Sequence, residues 1–266
     1  METLATIATT LRNMENIIAY YQSLGIDLNN LNHPISKLIS TAKDTNEIEK
    51  KQIEQKLRLI GLALMDIKSY DQNIYNFYIK KTVNNADFSL NGFIFEIIQC
   101  ANLISTAIEK KMEFIFGDHN KKEPDFIIDG CGIELTSIRF PEESQKNNAD
   151  TKLINKFREK NSKDYANSNS ILLIEVTQTI HYANQDRHKP NSEFDSILKN
   201  IGTESKFGIV LCYVEYTVPN EDSLQFKGTV YIAYGKECTE NVKTLFQKIT
   251  NGEFNKFDGT QIISKY

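Results

Sequence analysis

The hexapeptide ILLIEV, residues 171–176, is apolar at five of its six positions. A strand apolar on both faces belongs inside a sheet that is covered on both sides. That demand places a central strand in the chain and helices around it. The flanking sequence supplies the other pieces. Upstream lie three short apolar runs, MEFIFGD (112–118), PDFIID (124–129) and GIELTSI (132–138), separated by turn residues. Downstream lie KFGIVLCYVEYTV (206–218) and GTVYIAYG (228–235). Helical spacing fills the gaps, at 91–111, 150–168, 194–202 and 238–252. The order from residue 83 onward is α-β-β-β-α-β-α-β-β-α, a mixed α/β layer fold. Ser89 is a good N-cap for the helix after it, Asp150 caps the second, and Gly202 ends the third.

The first 82 residues differ in character and form a separate helical region. Leu4, Ile7, Leu11, Ile17 and Ile18 recur at roughly helical spacing. Pro34 suits the first position of a helix whose stripe is Ile35, Leu38 and Ile39. Ile53, Leu57, Ile60 and Leu64 form another core-facing stripe, with charges of both signs on the opposite face. The plain reading is a small helical bundle that packs or dimerises. The functional reading is contact with a substrate such as DNA.

Composition narrows the field. A net charge of −4 and a pI near 5.7 argue against a globally basic nucleic-acid binder, but a groove can be basic within an acidic protein. Cys100, Cys131, Cys212 and Cys238 include no C-x-x-C pair, so zinc-knuckle and redox motifs are not indicated. No apolar run approaches the roughly 20 residues of a membrane helix, and the N-terminus lacks a signal-peptide pattern. A cytoplasmic protein without a membrane partner is the expectation.

Three carboxylates stand in apolar surroundings. Glu96 sits in the apolar helix 91–111, Asp125 opens one strand, and Glu134 lies between Ile133 and Leu135 in the next. Carboxylates are rarely buried without a partner. Adjacent antiparallel strands would bring Asp125 and Glu134 within a few Å, where they repel unless a proton or a cation is shared. Mg2+, which takes one or two carboxylates together with water and phosphate oxygens, is the natural partner. A plain β-hairpin is the competing reading, because Pro-Asp followed nine residues later by Glu arises readily by chance.

The ordered set NGFIFEIIQ, PDFIID, GIELTSI, KFREKNSKDY and ILLIEV resembles the PD-(D/E)XK nuclease superfamily, over about residues 89–178. The resemblance implies a restriction-endonuclease-like mixed β-sheet flanked by helices, spanning 83–266 after the helical region 1–82. It implies a Mg2+-dependent deoxyribonuclease, with Mn2+ as the alternative metal. Asp125 and Glu134 would be its metal ligands, and Glu96 would add a third or orient the others.

The departure is Thr136, which stands where the family carries its lysine. Thr can hydrogen-bond but brings no charge. Members of the family relocate this lysine to a neighbouring element. Here Lys152, Lys156 and Lys160 share one helix face, and Lys163 falls close to it. Lys156 is the preferred replacement and Lys160 the next. Residues 146–163 hold six basic and two acidic side chains, a local patch suited to phosphate contact by Lys152, Lys156, Lys160 and Lys163. Lysines at such spacing also serve as an ordinary solvated face.

His181, Asp186 and His188 read as a polar loop after ILLIEV, and Asp118 with His119 as a turn. Glu175 either supports the core or stands behind the ligands. A restriction-type or defence endonuclease would act as a homodimer on DNA, with RNA as the alternative substrate. The competing classes are a degenerate member that binds nucleic acid or protein without cutting, and an interaction scaffold whose carboxylates never meet.

Overall fold

The computed structural model describes residues 11–84, 90–118, 121–140, 149–183, 192–219, 224–251 and 260–265. The chain divides into two compact units. One comprises Met1–Ser105 and Glu221–Leu224, the other Thr106–Asn220 and Gln225–Tyr266. The boundary therefore falls at Ser105, inside a helix, rather than near residue 82.

In the first unit, α1 (Met14–Ser23), α2 (Pro34–Asp44) and α4 (Gln72–Asn84) pack against the long helix α3 (Glu47–Tyr70). Ile53, Leu57, Ile60 and Leu64 are buried along α3, as their spacing requires. Pro34 occupies the first turn of α2. Leu4 and Ile7 lie outside the described residues, as does Ser89.

The helix α5 (Leu90–Lys110) begins in this unit. Its Gly92–Lys110 stretch is long and apolar enough to cross a membrane by length and composition, contrary to the expectation that no run comes close. The uninterrupted apolar run is broken at Glu96, Gln99 and Asn102, but the aliphatic and aromatic residues around them outweigh these when hydropathy is averaged along the stretch. Ile94, Phe95, Ile97, Cys100 and Ile104 on this helix are buried in the protein.

The second unit holds a seven-stranded sheet whose strands lie in chain order. They are β1 (Phe114–Phe116), β2 (Phe126–Ile128), β3 (Cys131–Ser137), β4 (Ser170–Glu175), β5 (Ile209–Pro219), β6 (Leu224–Tyr234) and β7 (Thr260–Lys265). β1, β2 and β3 pair antiparallel, and β3, β4 and β5 pair parallel. Parallel neighbours need crossovers. These carry α6 (Ala149–Asn161) between β3 and β4, and α7 (Thr177–Ala183) with α8 (Ser192–Glu204) between β4 and β5. The helix α9 (Glu240–Ile249) packs against β3. The sheet is mixed and the class is α/β.

ILLIEV forms β4, in the middle of the sheet, and is buried as its composition demands. Leu172 and Ile174 face one core cluster with Leu153 and Phe157 of α6 and Phe194, Leu198 and Ile201 of α8. Ile171 faces the other side, as do Ile133 and Ile209, its partners on β3 and β5.

Several boundaries differ from expectation. Asp150 lies in the first turn of α6, which already begins at Ala149, so it is not the cap. α8 runs past Gly202 to Glu204. The stretch after β4 turns at once into α7, where Ile180 is fully buried, so His181 lies on a helix rather than in the expected polar loop. β-branched Thr177 and Thr179 hid this helix from propensity, and packing overrode it. β7 has only two apolar residues in sequence and gave no strand signal.

Asp129 and Gly130 form the two-residue turn between β2 and β3, with φ of 46° and 75°. Positive φ at both positions is the turn that matches strand twist, and Asp-Gly is its preferred sequence. The Asp129 carboxylate accepts from the Glu113 backbone N–H at 2.9 Å and from Lys248 Nζ of α9 at 2.8 Å. The Lys248 bond holds this carboxyl below its usual range. A carboxyl lowered by folding stabilises above its unfolded value, near ~3.9, and that share is lost as pH falls through the folded value. Solvent screens this surface pair, so Asp129→Ala is expected to lose no more than about 1 kcal/mol at pH 7. In urea unfolding the deficit should shrink as pH falls from the unfolded carboxyl value through the lower folded one; a deficit independent of pH would assign the effect to turn geometry alone.

Candidate functional site

The antiparallel register pairs Phe126 with Ile133. One step beyond, at the mouth of the hairpin, Asp125 stands opposite Glu134. With period-two alternation, Glu134 and Thr136 share a face of β3 with Asp125, while Ile133 and Leu135 point the other way. Glu134 is paired in register with Leu172, and Thr136 with Ile174, so this face looks toward α6. Side chains opposite each other across such strands have Cβ atoms about 4.5–5.5 Å apart.

Two small residues seat the Pro-Asp step. The backbone N–H of Gly117 donates to the Asp125 carbonyl at 2.9 Å. A Cβ on Gly117 would lie 1.9 Å from the Pro124 carbonyl oxygen, an impossible approach. Pro124 itself rests over Gly132, where a Cβ would come within 3.1 Å of its ring. Asp125 is then fixed by its own side chain, which accepts from the Leu135 backbone N–H at 2.7 Å. Gly117→Ala is expected to destabilise the protein by about 2–3 kcal/mol, because the obstacle is backbone and cannot rotate away. Chemical denaturation measures this, and a loss under about 0.5 kcal/mol would show that β1 can shift freely.

Glu134 is almost fully buried, with 4% of its side chain exposed, and it is paired. The Lys160 ammonium lies 2.5 Å from its Oε1. The Tyr165 hydroxyl donates to the same oxygen at 2.7 Å. Both donors thus converge on Oε1, and Oε2 takes none among the described residues. Burial works against the charge on Lys160, but Glu134, with help from Asp125, outweighs it and raises its pKa. Burial first, and then Glu134, push the Tyr165 phenol well above its usual range, so it remains a donor.

Helix geometry explains why Lys160, and not Lys156, arrives here. On a helix turning ~100° per residue, Lys160 projects within roughly 20° of the buried Leu153, and Lys156 roughly 60° away. Lys156 pairs instead with Glu159 at 2.6 Å, a half-exposed contact along the helix. Lys152 donates to the Arg139 carbonyl and lies over the Phe140 ring, 4.6 Å from its centroid. Lys163 is exposed. The four lysines are therefore not equivalent: one enters the site, two have local partners and one faces solvent.

Glu96 lies in the first unit, where it accepts from the Tyr78 hydroxyl at 3.0 Å. Among the described residues, no three His, Cys, Asp or Glu side chains gather as a metal cluster. Glu175 pairs with Arg139 and accepts from the Thr177 N–H, on the sheet face opposite Glu134. His181 is exposed at the end of α7. Asp118 pairs with Lys121 in a surface turn, as expected. His119, Asp186 and His188 lie outside the described residues.

The donor set suits a hard divalent cation. It offers carboxylate oxygens from two adjacent strands, and these outnumber the one ammonium that neutralises them. Sequence reasoning missed the pair of glycines that seats Pro124. Their signal, a Gly next to each strand facing the Pro-Asp step, is legible only once the register is known. Comparison with family models, with curated proteins and with solved structures finds no match to this chain.

Proposed function

We propose that this chain is a divalent-metal-dependent nuclease of restriction-endonuclease-like fold, acting on DNA phosphodiester bonds in a restriction or defence role. The observation that supports this most is the meeting of Asp125, Glu134 and Lys160 on one sheet face, with the ammonium delivered from α6 instead of position 136. Asp125 and Glu134 would hold Mg2+ or Mn2+, which supplies positive charge where the phosphate becomes more anionic. Leu135 and the Gly117–Pro124 contact hold Asp125 in place. Tyr165 keeps Glu134 from rotating. Lys160 supplies the cation that Thr136 cannot, aimed at the same charge. Lys163 and the outer part of Lys156 add positive potential along the approach for a nucleic-acid backbone.

A second reading has its own support. Glu134 is already satisfied by Lys160 and Tyr165, so the fold is complete without a cation. A protein that binds nucleic acid or another protein without cutting would look the same here. Incubation of the purified protein with plasmid DNA and with RNA, in Mg2+ or Mn2+, separates the two. Metal-dependent cleavage supports the nuclease. Absence of cleavage, together with absence of metal binding by calorimetry, would leave the binding module.

A further inference from the structure

The Lys160 ammonium and a divalent cation would draw on the same negative charge. Lys160 stands 2.5 Å from Glu134 Oε1 with only 18% of its side chain exposed, and Tyr165 crowds the same oxygen. α6 holds Lys160 there, because Leu153 and Phe157 on the same stripe are anchored in the core. With 18% of its side chain exposed, the ammonium reaches water only by giving up its contact with Glu134 when a second cation arrives. Two cations sharing one buried carboxylate repel strongly at such distances.

We propose that Lys160 is a built-in counter-ion that competes with the divalent cation for the Asp125–Glu134 pair and sets its affinity low. This rests on the metal-dependent reading above, and it assigns Lys160 an effect on metal binding opposite in sign to that of a supporting residue. A lysine that merely braces the site would weaken metal binding when removed. A competing lysine strengthens it.

The test is calorimetric titration of the full chain with Mg2+ alone. Lys160→Gln, which is uncharged but can still donate to Glu134, is expected to bind Mg2+ at least about tenfold more tightly than the wild type. Lys122→Gln removes the same unit of charge from an exposed surface pair with Asp164 and should bind as the wild type does. Equal or weaker binding by Lys160→Gln, with the wild type still binding, overturns the counter-ion while leaving the metal site standing. No binding by either protein, with Mg2+ or Mn2+, overturns both. Should Lys160→Gln be unfolded in buffer, Mg2+ must restore its structure, followed by circular dichroism, at concentrations that leave the wild-type melting temperature unmoved. Failure to restore it also counts against the proposal.

Discussion

Glu134→Gln is expected to lower DNA cleavage by about 10³-fold or more and also to cost stability, because it leaves the Lys160 ammonium without its counter-charge, in a protein that still folds in buffer. The substitution keeps the shape of the side chain and its ability to accept from Tyr165. It removes the negative charge that pairs with Lys160 and that, on the nuclease proposal, would also hold the divalent cation. Asp125→Asn should behave similarly, since it too is isosteric and its remaining carbonyl can still accept from Leu135. Plasmid cleavage in Mg2+ gives the rate, and circular dichroism with thermal melting gives the fold. A Glu134→Gln protein that cuts at the wild-type rate would remove these strands from consideration as the active site.

Lys160→Met is expected to cost about 3 kcal/mol of stability. The reason is what it leaves behind. Glu134 is buried, and without the ammonium it keeps only the Tyr165 hydroxyl. A buried charge deprived of its counter-charge is penalised far more than the pair was ever worth. The double variant Lys160→Met with Glu134→Gln should therefore recover most of the loss, because no orphaned charge remains. Urea unfolding of the wild type, both single variants and the double variant measures this coupling. Strictly additive losses would show that the two side chains do not depend on each other.

Much of this was legible in the sequence. ILLIEV announced the central strand, and the Pro-Asp and Glu runs announced adjacent strands, because period-two patterns and turn residues act locally. The α/β class follows from their order. The choice between Lys156 and Lys160 was less visible. Both lie on one helix face by simple spacing, and only their angle to the buried Leu153 separates them. Measured from the buried Leu153, Lys160 is the nearer of the two, which is why it is the one that reaches Glu134. Glu96 reads as a third carboxylate for the site by sequence order; in the structure it accepts from the Tyr78 hydroxyl, a partner 18 residues away that no local pattern reveals. β7 and α7 escaped for a common reason: their structure comes from pairing and packing, not from their own few apolar residues.

The two-residue turn at Asp129–Gly130 also has a meaning for how such a chain can vary. Strand register sets which residue stands opposite which, and a two-residue loop of this type permits only one register. One inserted residue there would move Asp125 to the far side of the sheet, with every side chain still present. The hairpin is thus a length standard for the site. Other loops can lengthen without touching this pairing, but at this turn a single insertion or deletion would separate the carboxylate pair as surely as mutating it.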